Sequence, residues 1–266
     1  MLSIKVRYLR NIFLVHLLLT TITPALFSQE ETEVEPQIEP EVEVEKKNSG
    51  FISIGINASY GNVDRSSTDF ESELERKFKR QTVTFDGHYF QFTSRGKRVD
   101  ENIELSLIDL VKLKYRFKLY GKITAFRNTY RGYDSQYRFG VGILETLKTK
   151  KTFSLTYRLG YQIRNSAVTN NLINDYNNGT NQFLQAGCKV DVNLFESVDF
   201  SAKFDYDLDP NNSTNSNIEI ASKLIFKVNK WLDLEAKYSY FYAGLPVTGK
   251  LGLDQRFSVN LKINFN

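Results

Sequence analysis

Cysteine, tryptophan, methionine and histidine are all scarce here: the 266 residues hold one Cys, one Trp, one Met and two His. A lone Cys188 excludes a disulfide within the chain. With His16 and His88 the only imidazoles, a Cys/His metal cluster is excluded as well. Beyond the N-terminus, no stretch approaches the roughly 18 apolar residues of a membrane helix. A helical membrane protein is therefore excluded. A membrane β-barrel is not, because only every second residue of its strands faces lipid.

What the chain does have is aromatics and alternation. Tyr and Phe occur 15 and 20 times. The net charge of +4 is a sum over unlike parts. Residues 1–28 carry Lys5, Arg7 and Arg10 and no acid, and an apolar stretch from Ile12 to Leu19 follows. Pro24 to Ser28 then supply a break and small residues. This is the grammar of a secretory signal peptide cut after Ser28. Residues 29–49 carry eight Glu against two Lys, with two prolines and no aromatic. Such a segment buries too little to order itself and reads as a disordered acidic linker. Residues 50–266 are basic, but their Lys and Arg are scattered along strands rather than clustered. They suit a polar lumen and give no reason to expect a nucleic-acid partner.

From residue 50 onward, apolar and polar residues alternate with a period of two. Leu253, Phe257, Val259, Leu261, Ile263 and Phe265 share one parity, and Asp254, Arg256, Ser258, Asn260, Lys262 and Asn264 share the other. A strand puts these sets on opposite faces. The same pattern predicts strands over 50–60, 65–78, 81–92, 98–110, 113–127, 134–145, 151–165, 180–194, 197–208, 215–228, 231–242 and 250–265. Many of these exceed the usual five or six residues. The links after strands 2, 4, 6, 8 and 10 are short, and those after 7, 9 and 11 are longer and polar. The expectation is an all-β fold: a single antiparallel transmembrane β-barrel of about twelve strands in a bacterial outer membrane, with a periplasmic N-terminus. Outer-membrane lipid is its expected surroundings. The final amphipathic strand, ending in Phe265, resembles the signal read by the barrel insertion machinery. Tyr60, Tyr130, Tyr133, Phe195, Trp231, Tyr238, Tyr240, Phe241, Tyr242 and Phe265 lie near strand ends, as aromatic girdles at the two interfaces would.

Three stretches also resemble a known bacterial family of unknown function, the salt-induced outer-membrane proteins. They are INASYGNVDRSST at 56–68, FRNTYRGYDSQYRFGVGILETL at 126–147 and YSYFYAGLPVTGKLGLDQRFSVNLKINF at 238–265. The resemblance spans roughly 50–266. It implies an outer-membrane barrel linked to salt response, and it carries over no functional residue.

Candidate lumen charges follow from parity. Lys114, Arg116, Lys118, Lys122, Arg138, Arg158 and Arg164 lie on predicted strands 5 to 7. Asp199, Asp205, Asp207, Glu219, Asp233 and Glu235 lie on strands 9 to 11. Opposed walls of opposite charge would either line a narrow pore or pair across the lumen and plug it. Twelve strands fall between filled eight-stranded and open sixteen-stranded barrels. A filled or narrow lumen is favoured.

Catalysis has one candidate. A lipid-hydrolysing barrel needs a serine and a histidine within hydrogen-bond reach at the lipid-facing rim. His88, the only histidine past the signal segment, shares the inward parity of Thr82, Thr84 and Asp86, with no serine on that face of its strand. It reads as a hydrogen-bonded lumen residue. Asp205, Asp207 and Asp209 lack the glycine and closing Glu of a calcium loop, and Cys188 reads as a lipid-facing apolar side chain. No cofactor or metal is expected. The functional expectation is a non-enzymatic barrel with a structural or envelope-stress role, passing at most small ions or solutes. The alternatives are a lipid-modifying enzyme and a surface-binding protein acting through the loop at 166–179. A lipid-facing Val259→Arg is expected to be costly and a lumen-facing Asn260→Arg mild.

Overall fold

The computed structural model describes residues 47–59, 65–94, 97–113, 116–150, 152–168 and 176–265. The segments read as signal peptide and acidic linker therefore lie outside the described residues, except for the last three linker positions. Those three already belong to the first strand. The described residues form twelve strands: β1 (Lys47–Ser59), β2 (Arg65–Lys77), β3 (Gln81–Ser94), β4 (Lys97–Lys112), β5 (Phe117–Asn128), β6 (Tyr133–Lys150), β7 (Phe153–Val168), β8 (Gly179–Phe195), β9 (Val198–Leu208), β10 (Ser216–Lys227), β11 (Leu232–Ala243) and β12 (Leu253–Phe265). Each pairs antiparallel with its sequence neighbour, and β1 pairs with β12 to close a barrel. The expected all-β barrel and its strand count are thus found.

The chain is folded inside out relative to a water-soluble protein. Outward side chains are apolar and bare: Ile123, Phe139, Ile143, Leu159, Phe257 and Ile263 are all exposed. Inward positions are polar and buried: Ser106, Thr124, Asn128, Gln136, Asp205 and Asn260 among them. Burial of polar groups beneath an exposed apolar belt is costly in water and favourable in a bilayer. β-branched and aromatic residues on the outward parity suit both the pleat and the lipid.

The two rims differ. The ends of β1 and β12, near Gly50 and Phe265, lie together. This terminal end also carries the turns at 78–80, 196–197 and 228–231, together with Leu113, Arg116 and Thr152. Asn229 shapes the last of these, its Oδ1 accepting from the backbone N–H of Trp231 and Leu232 at 2.8 and 3.0 Å. The opposite, loop end carries 176–178, 209–215 and 244–252. β5 begins at Phe117 and not at 113, because Leu113 N–H donates to Phe117 O at 3.0 Å and closes a tight turn there. Arg116 accordingly sits in that turn, exposed and paired with Glu145.

Two local devices shape the wall. Tyr120 on β5 lies flat against β6 and β7, where a Cβ on Gly160 would stand 2.0 Å from its hydroxyl and one on Gly142 2.6 Å from its ring. Glycine at these positions is what lets the ring lie on the backbone. The second device is the closing seam. β1 pairs with β12 only from Gly50–Ile54 to Leu261–Phe265, whereas β1 pairs with β2 over its whole length.

Candidate functional site in the barrel interior

At the loop end of the interior, described side chains and loops pack against one another. Val247, from the 244–252 loop, is buried against Gly132, whose φ of 85° favours glycine. Lys250 Nζ donates to Thr129 O at 2.8 Å, and Asn177 Nδ2 to Leu245 O at 3.1 Å. Beneath this cap, Arg131 stacks over Phe241 at 3.5 Å and pairs with Asp254 at 3.3 Å. Arg256 reaches from β12 to Asp100 on β4 at 3.6 Å. Arg138 lies over Phe126 and donates to Gln136. Arg164 lies over Phe183 and pairs with Asp207, which also accepts from Gln185 at 2.8 Å. A cavity of about 30 Å³ remains between Arg131, Arg138, Arg164 and Glu219. That is room for one or two water molecules.

The middle is bridged in the same manner. Asp205 holds Arg158 and Lys203, each at 2.5 Å. Lys237 on β11 crosses to Glu71 on β2 at 2.6 Å and also holds Glu235 at 2.9 Å. Glu235 is fully buried and reached by Lys262 at 3.4 Å. His88 Nε2 lies 2.9 Å from Asp69, and Asn102 Nδ2 lies 3.4 Å from its Nδ1. Towards the terminal end, several inward charges are partly exposed. Lys189 and Asp191 are half exposed and pair at 2.9 Å. Asp199 pairs with Lys227 at 2.7 Å, and Asp233 accepts from Asn264.

The sequence candidates distribute as follows. Arg138, Arg164, Asp207 and Glu219 come together towards the loop end, and Arg158 pairs with Asp205 in the middle. Lys118, on β5, lies beyond them towards the terminal end, where Lys112 is its cross-strand partner. Lys122 approaches Glu104 at 3.8 Å. Asp199, Asp233 and Glu235 lie towards the terminal end, each with its own partner. Arg116 leaves the set, because it lies in a turn, and Lys114 lies outside the described residues. The picture of two opposed walls needs correction. Lys203, Lys237 and Lys262 stand among the acids of β9–β12, and Asp69, Glu71, Asp100 and Glu104 form a second acidic region on β2–β4. Alternation along one strand tells inward from outward residues but does not say which strand lies across the barrel.

Inward aromatics were missed for a related reason. Tyr133 and Phe241, read as girdle residues, point inside: both line the cavity, and a bulge between Tyr133 and Ser135 turns Tyr133 over. Phe195 and Trp231 at the terminal end and Tyr130 at the loop end are exposed; Tyr60 lies outside the described residues. Asp209 is buried with both carboxylate oxygens occupied, by the N–H groups of Asn211 and Asn212 and by Tyr176 and Asn215.

The closed antiparallel barrel with a lipid-type exterior and a polar interior is the fold of an outer-membrane β-barrel. The chain belongs to the family described as protein of unknown function, DUF481, which matches residues 52–265. Among solved structures it is similar to the NanC porin, at 11% identity and a TM-score of 0.52, covering 82% of this chain and 99% of that one. The KdgM porin matches at 10% identity and 0.46, covering 83% and 100%. An outer membrane channel from Pseudomonas putida F1 matches at 10% and 0.47, covering 87% and 99%. No curated protein matches the chain.

Proposed function

We propose that this is a non-enzymatic outer-membrane barrel whose interior offers a water-filled vestibule at its terminal end and a closed loop end. It passes small ions at most. One observation carries this reading: charged side chains pair across the lumen, Lys237 to Glu71 and Arg256 to Asp100, where an open pore would hold water. Charges drawn from water repay their desolvation only when closely paired, so such crosspieces persist. The short turns beside the termini support a periplasmic N-terminus, with the longer loops outside. The C-terminal strand is the proposed address for the insertion machinery. The resemblance to salt-induced proteins supports a role in the envelope under osmotic or ionic stress.

His88 supports the non-enzymatic reading. It faces the interior rather than the lipid, and its hydrogen-bond partners among the described residues, Asp69 and Asn102, are not nucleophiles. Planar-bilayer recording of the full chain tests the proposal. Small, infrequent ion conductance is expected, rising when Val247 and Lys250 are replaced by Gly to loosen the cap. Passage of saccharides in a liposome-swelling assay would refute the closed interior. Phospholipid turnover that is lost on His88→Ala would refute the non-enzymatic reading.

A further inference from the structure

Within the interior, Asp69, Glu71 and His88 present ligand atoms that all lie within 4.8 Å of one another. They come from adjacent strands: Glu71 stands opposite His88 in the β2–β3 ladder, and Asp69 is two residues along on the same face. A transition-metal ion with bonds of about 2.0–2.2 Å brings its ligands to roughly 3–3.5 Å separation. The observed 2.9 Å between His88 Nε2 and Asp69 is close to that spacing.

A second observation concerns Asn102. Its side chain is buried, its carboxamide faces the imidazole, and its Oδ1 has no hydrogen-bond partner. An orphaned buried carbonyl oxygen is unfavourable, because its desolvation is not repaid. Turning the carboxamide over places Oδ1 where Nδ2 now stands, and the two orientations are indistinguishable by shape. Oδ1 then accepts from a proton on His88 Nδ1. That tautomer leaves the Nε2 lone pair facing carboxylates, an arrangement that either a second proton on the ring or a metal cation between them relieves. Metal-bound histidines characteristically donate their other ring N–H to such an oxygen.

We infer that Asp69, Glu71 and His88 form a binding site for a divalent transition-metal ion of the Zn²⁺ class, with Asn102 orienting the imidazole. One imidazole with two carboxylates favours such an ion over the oxygen-seeking Ca²⁺ and Mg²⁺. In the metal-free protein the ammonium of Lys237, 2.6 Å from Glu71, holds the place of the cation. The metal displaces it towards Glu235, its other partner. Glu104, the cross-strand neighbour of His88, keeps the surroundings net acidic. This site does not depend on whether the lumen conducts.

The test is calorimetric titration of Zn²⁺ into the untagged, metal-stripped full chain folded in detergent, with Co²⁺ absorption as a spectroscopic report on imidazole and carboxylate ligation. One equivalent should bind. His88→Gln should weaken binding at least tenfold, Asn102→Ala about 10–100-fold, and Lys237→Met should tighten it by removing the competing ammonium. Absence of binding to the wild type would overturn the proposal. So would undiminished binding to His88→Gln, which retains His16 and the acidic residues 29–49 and would place the ion there. Should His88→Gln fail to fold, Lys237→Met decides: unchanged or weaker binding would refute the displaced-ammonium site.

Discussion

Replacing Gly160 by alanine tests how the wall of this barrel is built. Glycine within a strand is ordinarily less stable than alanine, by roughly 0.5–1 kcal/mol, so an isolated Gly160→Ala should stabilise. Here the new methyl group would stand 2.0 Å from the Tyr120 hydroxyl, 3.0 Å from its Cζ and 2.7 Å from Val141 O. Tyr120 is 4% exposed and has Arg158 over its ring at 5.7 Å, so it has little room to withdraw. Overpacking of this kind costs about 1–3 kcal/mol, leaving Gly160→Ala destabilising by about 1–2 kcal/mol. Tyr120→Ala alone should cost about 3–5 kcal/mol as a buried aromatic truncation. In the double variant the ring is gone and only Val141 O still crowds the methyl. Gly160→Ala should then be near neutral, giving a coupling of about 1–2 kcal/mol, within the range for residues in contact. Urea unfolding in phospholipid vesicles, followed through the single tryptophan, Trp231, measures each corner of the cycle. A coupling below about 0.5 kcal/mol would refute the reasoning, because the ring and the glycine would then be independent.

Three further outcomes are expected. Val259→Arg puts a charge on the lipid face and should cost about 2–4 kcal/mol near the bilayer midplane, whereas Lys189→Arg, inward and half exposed, should cost little; the same vesicle assay checks both. Asp205→Ala leaves Arg158 and Lys203 facing each other and should cost about 3 kcal/mol or more, visible as loss of heat-modifiable gel migration at a lower temperature than the wild type. Trp231, exposed at the terminal rim, should show blue-shifted emission in vesicles and be quenched by brominated lipid near the headgroups; unchanged emission on transfer from buffer to vesicles would refute its girdle position.

The barrel was legible because a period of two is a property of each strand alone. Strand limits agree within a few residues, apart from β5, where Leu113 turns the chain, and β6, which runs on to Lys150. The interior was legible only as a set of faces. Parity identifies Asp205 as inward but cannot say that Arg158 lies two strands away and Lys237 opposite Glu71. Those facts belong to closure and register. Phe126, Phe183 and Phe241 share parity with polar neighbours, which was the available signal that the lumen contains aromatics. It was obscured by the strong tendency of aromatics in such barrels to face lipid. Asn260 shows the same limit. By parity it is lumen-facing and tolerant, but it is buried beside Gly55 and donates to Asp69 at 3.1 Å. Asn260→Arg is therefore expected to be severe, and Lys189 replaces it as the inward control.

The narrow pairing between β1 and β12 also sets an order of events. Every other ladder joins neighbours through a turn or a loop, while this one joins residues more than two hundred positions apart. Each doubling of loop length adds about 0.6 kcal/mol to the entropy of closure, so going from a few residues to about two hundred adds roughly 4 kcal/mol. Leu261–Phe265 must repay that with few hydrogen bonds. The ends of the sheet therefore meet last, after the hairpins have formed. Until they do, two strand edges stand open within the membrane, and a catalyst of assembly would have to shelter both.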